Sequence, residues 1–144
     1  MIVSFTENIP VNVKLTDFGS SRNINALMTN LTFTKGIGTP VYMAPEVLRE
    51  DHYKIPADIY SFAVVMYEIM IWRDAFPKKE FRYPWSVAEF IINGNRPKRL
   101  QNITVSFYEF IEKCWCQNPK ERFTIDDIIS YLETELMKLK LNAD

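Results

Sequence analysis

Glycine and histidine are scarce in this 144-residue chain: four glycines, at 19, 36, 38 and 94, and one histidine, His52. A loop that cradles phosphate with its backbone N–H groups needs glycines packed close together. Gly36-Ile37-Gly38 comes nearest, but Val41 stands where a third glycine belongs. A lone histidine cannot build a histidine cluster for metal or for catalysis. Cysteine is scarce too. Cys114 and Cys116 are one residue apart, a spacing that strains a disulfide, so two reduced thiols in a cytoplasmic protein are expected. The pair and one distant histidine fall short of a zinc site. Neither sign of charge dominates: 17 basic residues face 18 acidic ones, for a net charge of −1. Charge therefore gives no support to a nucleic-acid partner. Long apolar runs are missing as well. The most apolar stretch, Ser61 to Trp72, is interrupted by Glu68 and is too short to span a bilayer. The opening MIVSFTENIP has no basic region followed by an apolar run, so no signal peptide and no membrane partner are expected.

What is present suits a packed core. The chain is 47% hydrophobic and 14% aromatic, at a length typical of one domain. The first sixteen residues read as a β-hairpin: an apolar run to Phe5, a turn around Asn8 and Pro10, then Val11, Val13 and Leu15 alternating with polar residues. From Asp17 to Thr39 no period holds, and a loop this long is usually functional or disordered. Beyond residue 40 the pattern is helical. Pro45 opens a short helix to Glu50. Asp58 to Trp72 is apolar on nearly every side, which predicts a buried helix. Ser86 and Glu89 predict a capping box with a Trp85–Phe90 staple, and Gly94 and Pro97 a stop. A further helix places Phe107, Phe110, Ile111, Cys114 and Trp115 on one face. Thr124 and Asp127 predict a second box, with Phe123 and Ile128 as staple. The stripe that follows is Ile125, Ile128, Ile129, Leu132, Leu136 and Leu139. The fold class expected is mainly α, with a small N-terminal β-hairpin.

Four blocks carry the chemistry. Asp17-Phe18-Gly19 follows the second strand, where a carboxylate can hold a hard cation such as Mg²⁺. Ala44-Pro45-Glu46 closes the loop, preceded by Gly38-Thr39-Pro40-Val41-Tyr42-Met43. Asp58-Ile59-Tyr60-Ser61-Phe62-Ala63 opens the apolar helix. Cys114-Trp115, Asn118-Pro119 and Arg122 stand near the end. Taken singly each is weak, and an Asp-Phe-Gly can be a plain turn. Together and in this order, from Met1 to about Leu136, they resemble the C-terminal lobe of a eukaryotic protein kinase. The helix opening and the Cys-Trp block resemble the tyrosine-kinase-like group, whereas Gly38-Thr39-Pro40 resembles Ser/Thr kinases.

The resemblance implies a role for each matching residue. Asp17 would bind the Mg²⁺ that bridges the ATP phosphates, in a cofactor site with Phe18 and Gly19. Residues 17–46 would be the activation segment. Thr39 would help select a hydroxyl-bearing residue of a protein substrate. Ser21, Thr29, Thr32 and Thr34 lie where activating phosphates go. Glu46 would pair with Arg122 in a buried ion pair, and Asp58 would cap backbone N–H groups of the catalytic loop. Ala63 departs from the glycine usual there.

The same resemblance shows what the chain does not hold. A kinase needs a glycine-rich loop, a strand lysine with its glutamate, and an H-R-D-x-x-x-x-N loop. His52 is followed by Tyr53 and is not that loop's histidine. The expectation is a piece of a kinase, 1–144 being a partial domain that is inactive alone and holds neither Mg²⁺ nor ATP. The competing reading is a non-catalytic lobe that works by binding other proteins. Apolar surface around Phe5, Leu15 and Phe18, left without the missing lobe, would favour self-association or a disordered activation segment.

Overall fold

The structure, a computed structural model, describes residues 14–16, 18, 40–49 and 54–141. The chain divides into two compact units, Met1–Asn30 and Leu31–Asp144. In the first, Lys14 holds an isolated bridge position, Leu15 and Thr16 have no regular structure, and residues 1–13 of the expected hairpin lie outside the described residues. The second unit is helical among its described residues. Its elements are α1 (Pro45–Leu48), α2 (Ile55–Ile71), α3 (Pro84–Ile92), α4 (Val105–Cys114) and α5 (Ile125–Leu141), with 3-10 turns at Pro40–Tyr42 and Pro119–Glu121. None of these helices is long and apolar enough to cross a membrane.

Helix α2 is the centre. It starts at Ile55, three residues before Asp58, because Pro56 sits in the first turn, where its missing N–H costs nothing. Ala57, Ile59, Tyr60, Ala63, Val64 and Tyr67 are buried, and α2 packs against α4. Burial is one-sided rather than all-round, since Ile69 is exposed and Trp72 is 77% exposed. The helix ends because Trp72 turns left-handed, φ 57°, while its N–H still bonds the Glu68 carbonyl at 2.8 Å. Asn102 completes the stop by donating to the Met70 carbonyl at 2.7 Å.

Helix α3 departs from the expected capping box. It begins at Pro84, with Tyr83 as N-cap and no side-chain cap, so Ser86 lies inside the first turn. A proline at the first helical position sets the start without help from Ser86. Trp85 does not staple Phe90. It stacks on Tyr83 at 4.4 Å, with planes 5° apart. Phe90 packs edge-on against Phe76 and Phe81 instead. The end of α3 is set by Gly94, φ 83°. Gly94 N–H bonds the Ile91 carbonyl and Asn95 N–H the Phe90 carbonyl, the paired bonds of a Schellman stop.

Helix α4 is capped by Thr104, whose hydroxyl accepts from the Phe107 N–H at 3.3 Å. Its aromatic face continues the core: Phe110 stacks on Tyr131 of α5 at 4.1 Å, and Trp115 meets Tyr67 of α2 at 5.4 Å. The box at the start of α5 forms in both directions. Asp127 accepts from the Thr124 N–H at 2.8 Å and hydroxyl at 2.7 Å, and Thr124 accepts from the Asp127 N–H at 3.3 Å. Of the apolar stripe on α5, Ile128 alone is buried. Both cysteines are free thiols: burial pushes Cys114 up to about 12, and Cys116 donates to the Glu112 carbonyl.

Candidate functional site

Ala44 is extended, and Pro45 starts α1 directly after it. That places Glu46 in the first helical turn, facing the segment after α4. There Asn118 caps the 3-10 turn by accepting from the Lys120 N–H at 3.1 Å, and Arg122 leaves the turn extended. The guanidinium of Arg122 meets the carboxylate of Glu46 fork to fork, with Nη1–Oε1 and Nη2–Oε2 both 2.7 Å. Nη1 also donates to the Pro56 carbonyl at 2.7 Å and Nε to the Cys116 carbonyl at 2.9 Å. The Arg122 side chain is fully buried, and that of Glu46 is 14% exposed. Charge-assisted, two-pronged bonds of this kind are the strong ones, and they fix orientation as well as distance.

Tyr60 carries this pair from below. Its ring lies 5.2 Å from the Arg122 guanidinium and 5.0 Å from that of Arg96. Arg96 is itself held, by the carbonyls of Trp115 and Ile91 and by the side chain of Gln117. Among the described residues the buried Tyr60 hydroxyl has no hydrogen-bond partner. Burial pushes the phenol up to about 12, outweighing the two arginines, which act to lower it.

A second cluster fixes the turn at Pro40–Tyr42. Ser61 of α2 donates to the Tyr42 carbonyl at 2.8 Å. The Tyr42 hydroxyl donates to Glu68 Oε2 at 3.0 Å, and Glu68 Oε1 accepts from the Ala75 N–H at 2.9 Å. Burial, then the bond to Glu68, pushes the Tyr42 phenol up to about 12. Beside this turn lies a pocket of about 320 Å³. Pro40, Val41 and Phe76 line it together with Glu68, Lys78 and Arg82.

Of the residues singled out from the sequence, the structure brings Glu46 and Arg122 together. Asp58 lies exposed in the first turn of α2, on the same helix as Tyr60 and Ser61. Asp17, Gly19, Ser21, Thr29, Thr32, Thr34 and Thr39 lie outside the described residues, so the Mg²⁺ and ATP site expected at Asp17 does too, and Phe18 is described only as a single residue. Among the described residues no three His, Cys, Asp or Glu side chains gather as metal ligands. Sequence reasoning missed Arg96 and the Tyr42–Glu68 bond. Arg96 sits in an ordinary-looking basic stretch, Arg96-Pro97-Lys98-Arg99. Glu68 interrupts an apolar helix, and that interruption was the available signal for a buried polar partner.

The comparisons with known proteins agree with this geometry. The family described as protein kinase domain matches residues 3–132. The chain is 30% identical over 122 residues to an RGS domain-containing serine/threonine-protein kinase A of Dictyostelium discoideum, covering 85% of this chain and 10% of that protein. It is 29% identical over 135 residues to mitogen-activated protein kinase kinase kinase 7 of Bos taurus, covering 92% of this chain and 22% of that protein. The chain thus spans less than a quarter of the length of these relatives. With the match covering most of its residues, and with Glu46 and Arg122 joined as described, the chain belongs to the protein kinase domain family.

Proposed function

We propose that this chain supplies the activation segment, residues 17–46, and the helical C-terminal lobe of a Ser/Thr protein kinase of the tyrosine-kinase-like group. The observation that carries the reading is the two-pronged Glu46–Arg122 pair. Motifs that matched by accident would have no reason to meet in three dimensions, 76 positions apart. In this reading the pair anchors the end of the activation segment. Ser61 and Glu68 then hold the adjoining turn at Pro40–Tyr42, beside the pocket that takes a side chain of the protein substrate. Thr39, which precedes that turn in the sequence, helps select a hydroxyl-bearing substrate residue.

In the whole kinase Asp17, with Phe18 and Gly19 next to it in the sequence, would hold Mg²⁺ with ATP, and Mg-ATP would supply the phosphoryl group. Asp58 ties α2 to the catalytic loop, and Ser21, Thr29, Thr32 and Thr34 take the activating phosphates. Phosphoryl transfer depends on positioning and charge stabilisation around the nucleotide. The sequence of this chain contains no H-R-D-x-x-x-x-N block and no glycine-rich loop. The base, the second metal ligand and the phosphate lysine therefore come from outside these 144 residues, and the chain by itself transfers nothing.

A chimera tests this. The chain is joined in frame to the glycine-rich lobe and catalytic loop of a Ser/Thr kinase relative. Transfer of labelled phosphate from Mg-ATP to serine or threonine is expected, and Asp17→Ala should abolish it. The chain alone should transfer none and should show almost no rise in melting temperature with Mg-ATP, since tight binding would raise it by mass action. A folded chimera without transfer overturns the reading. So does transfer by the chain alone that Asp17→Ala removes.

A further inference from the structure

Arg96 is half-buried just after α3, and among the described residues no carboxylate pairs with it. Burial lowers its pKa, and the charge of Arg122 acts in the same direction. A cation set among carbonyls and close to another cation is a stability cost that an apolar side chain of similar length would avoid. What the guanidinium supplies is geometry, because its planar fork reaches several acceptors at once.

The acceptors belong to two different places. Nη1 donates to the Ile91 and Asn95 carbonyls at 3.2 and 2.7 Å, around the end of α3. Nε donates to the Trp115 carbonyl at 3.0 Å and Nη2 to the Gln117 side chain at 2.9 Å, just after α4. Gln117 in turn donates to the Ile92 carbonyl at 3.1 Å, which closes the tie. The next carbonyl along the chain, that of Cys116, is the one that Arg122 Nε holds at 2.9 Å. Two arginines thus clamp two successive carbonyls. The same two sit on the ring of Tyr60, at 5.0 and 5.2 Å. Tyr60 is fully buried. In a close-packed interior a displacement of Arg96 therefore passes to Arg122 through the ring and the backbone together.

We propose that Arg96 is a positioning residue for the Glu46–Arg122 pair. It seats Tyr60 and the Trp115 carbonyl so that Arg122 presents its fork to Glu46, and it thereby couples the end of α3 to the start of α1. The coupling stands on the geometry alone. Its meaning for phosphoryl transfer, the placing of the end of the activation segment against a protein substrate, rests on the kinase reading.

Amide hydrogen exchange on the full 144-residue chain tests the coupling. The reporter is the Leu48 N–H, bonded to the Ala44 carbonyl at 3.0 Å across α1. Arg96→Met keeps a side chain of similar reach and removes the fork. It should speed exchange at Leu48 about tenfold, while amides in the middle of α5 keep their wild-type rates. A second route is separated by Arg49, which ends α1 and also donates to the Ile92 carbonyl of α3. The effect of Arg96→Met should persist when Arg49→Met has cut that bond. If Arg96→Met does not fold, Arg96→Lys is read in the same way, because an ammonium cannot span both sets of acceptors. The proposal is overturned if Leu48 keeps its wild-type rate, if α5 speeds up equally, or if Arg49→Met abolishes the effect.

Kinetics of the chimera read the consequence. Arg96→Met should raise the KM for a serine peptide about fivefold and leave kcat and the KM for Mg-ATP unchanged. A merely structural role would lower kcat, through the share of folded enzyme, at constant KM, and that result would overturn the proposal. A wild-type chimera that transfers nothing overturns the kinase reading instead, and the exchange at Leu48 then decides the coupling by itself.

Discussion

Arg122 reaches across 76 positions of sequence to hold both carboxylate oxygens of Glu46 at 2.7 Å. The arginine is fully buried and the glutamate nearly so. Taking two charges out of water is costly, and the pair holds because both carboxylate oxygens accept and four of the five guanidinium N–H groups donate. Removing one member strands the other. Glu46→Ala should therefore cost about 3–5 kcal/mol in urea unfolding, since it leaves the buried Arg122 guanidinium without its carboxylate. Arg122→Lys should recover little of the loss from Arg122→Ala, because an ammonium cannot reproduce the fork or the bonds to the Pro56 and Cys116 carbonyls. Full rescue by lysine would show that charge alone matters here, against this account.

Two helices end in the left-handed region, and their terminal residues should respond in opposite senses. Gly94 adopts φ 83°, with nothing within 4 Å of a Cβ built there. Space does not limit Gly94→Ala, so its cost is backbone strain alone, about 1 kcal/mol. Trp72 adopts φ 57° as an L-residue and is largely exposed. Trp72→Gly relieves that strain and should raise the unfolding midpoint. A drop in the midpoint would mean that the indole makes a stabilising contact.

Periodicity and caps are legible in the sequence wherever one local interaction decides the outcome. Gly94 stops α3, and Thr124 with Asp127 starts α5, because each bond spans fewer than six residues. The start of α3 differs from expectation because two local signals compete. Pro84 needs no side-chain cap, and it takes the first helical position ahead of Ser86. The one-sided burial of α2 has no local signature at all. Ile69 and Trp72 are as apolar as Ile59 and Val64, and the placement of α4 and of the two 3-10 turns decides which of them is covered. The Glu46–Arg122 pair was implied by family resemblance. By contrast, the seat of Arg96 on Tyr60 depends on how α2 and the segment after α3 approach each other, which no local pattern encodes.

The box at the start of α5 makes stability depend on acid. The Thr124 hydroxyl and N–H bond the Asp127 carboxylate and hold its pKa below the ordinary aspartate range. A lowered folded pKa contributes stability that is fully present above the unfolded value of about 3.9 and is lost as pH falls through the folded pKa. Asp127→Asn should therefore be less stable than wild type at pH 7, and the difference should shrink below about pH 4. Thr124→Ala should cost about 1 kcal/mol at pH 7. A stability gap between the Asp127→Asn variant and wild type that is equal at pH 7 and pH 3 would refute the linkage.

At the alkaline end Tyr60 is the informative group. Its phenol is pushed up to about 12 by burial, against an ordinary value of 10.0. A folded pKa raised above the unfolded one gives stability that is fully present below about pH 10 and is lost as pH rises toward 12. In that window the unfolded chain has released the proton and the folded chain still holds it. Tyr42 and Tyr108 act in the same sense, and so does the Cys114 thiol, from a lower starting value. Wild-type stability should thus fall steeply between pH 9 and 12. Tyr60→Phe keeps the ring under Arg96 and Arg122 and deletes a buried hydroxyl that has no partner among the described residues. Leaving a buried polar group unsatisfied costs free energy, so the substitution should be neutral or stabilising at pH 7. It should also make the alkaline decline shallower, by about one proton between pH 10 and 12. Urea unfolding at pH 7, 10 and 11 measures both effects. A loss of stability at pH 7 would mean that the hydroxyl is bonded after all, and an unchanged alkaline slope would mean that the phenol titrates as it does in the unfolded chain.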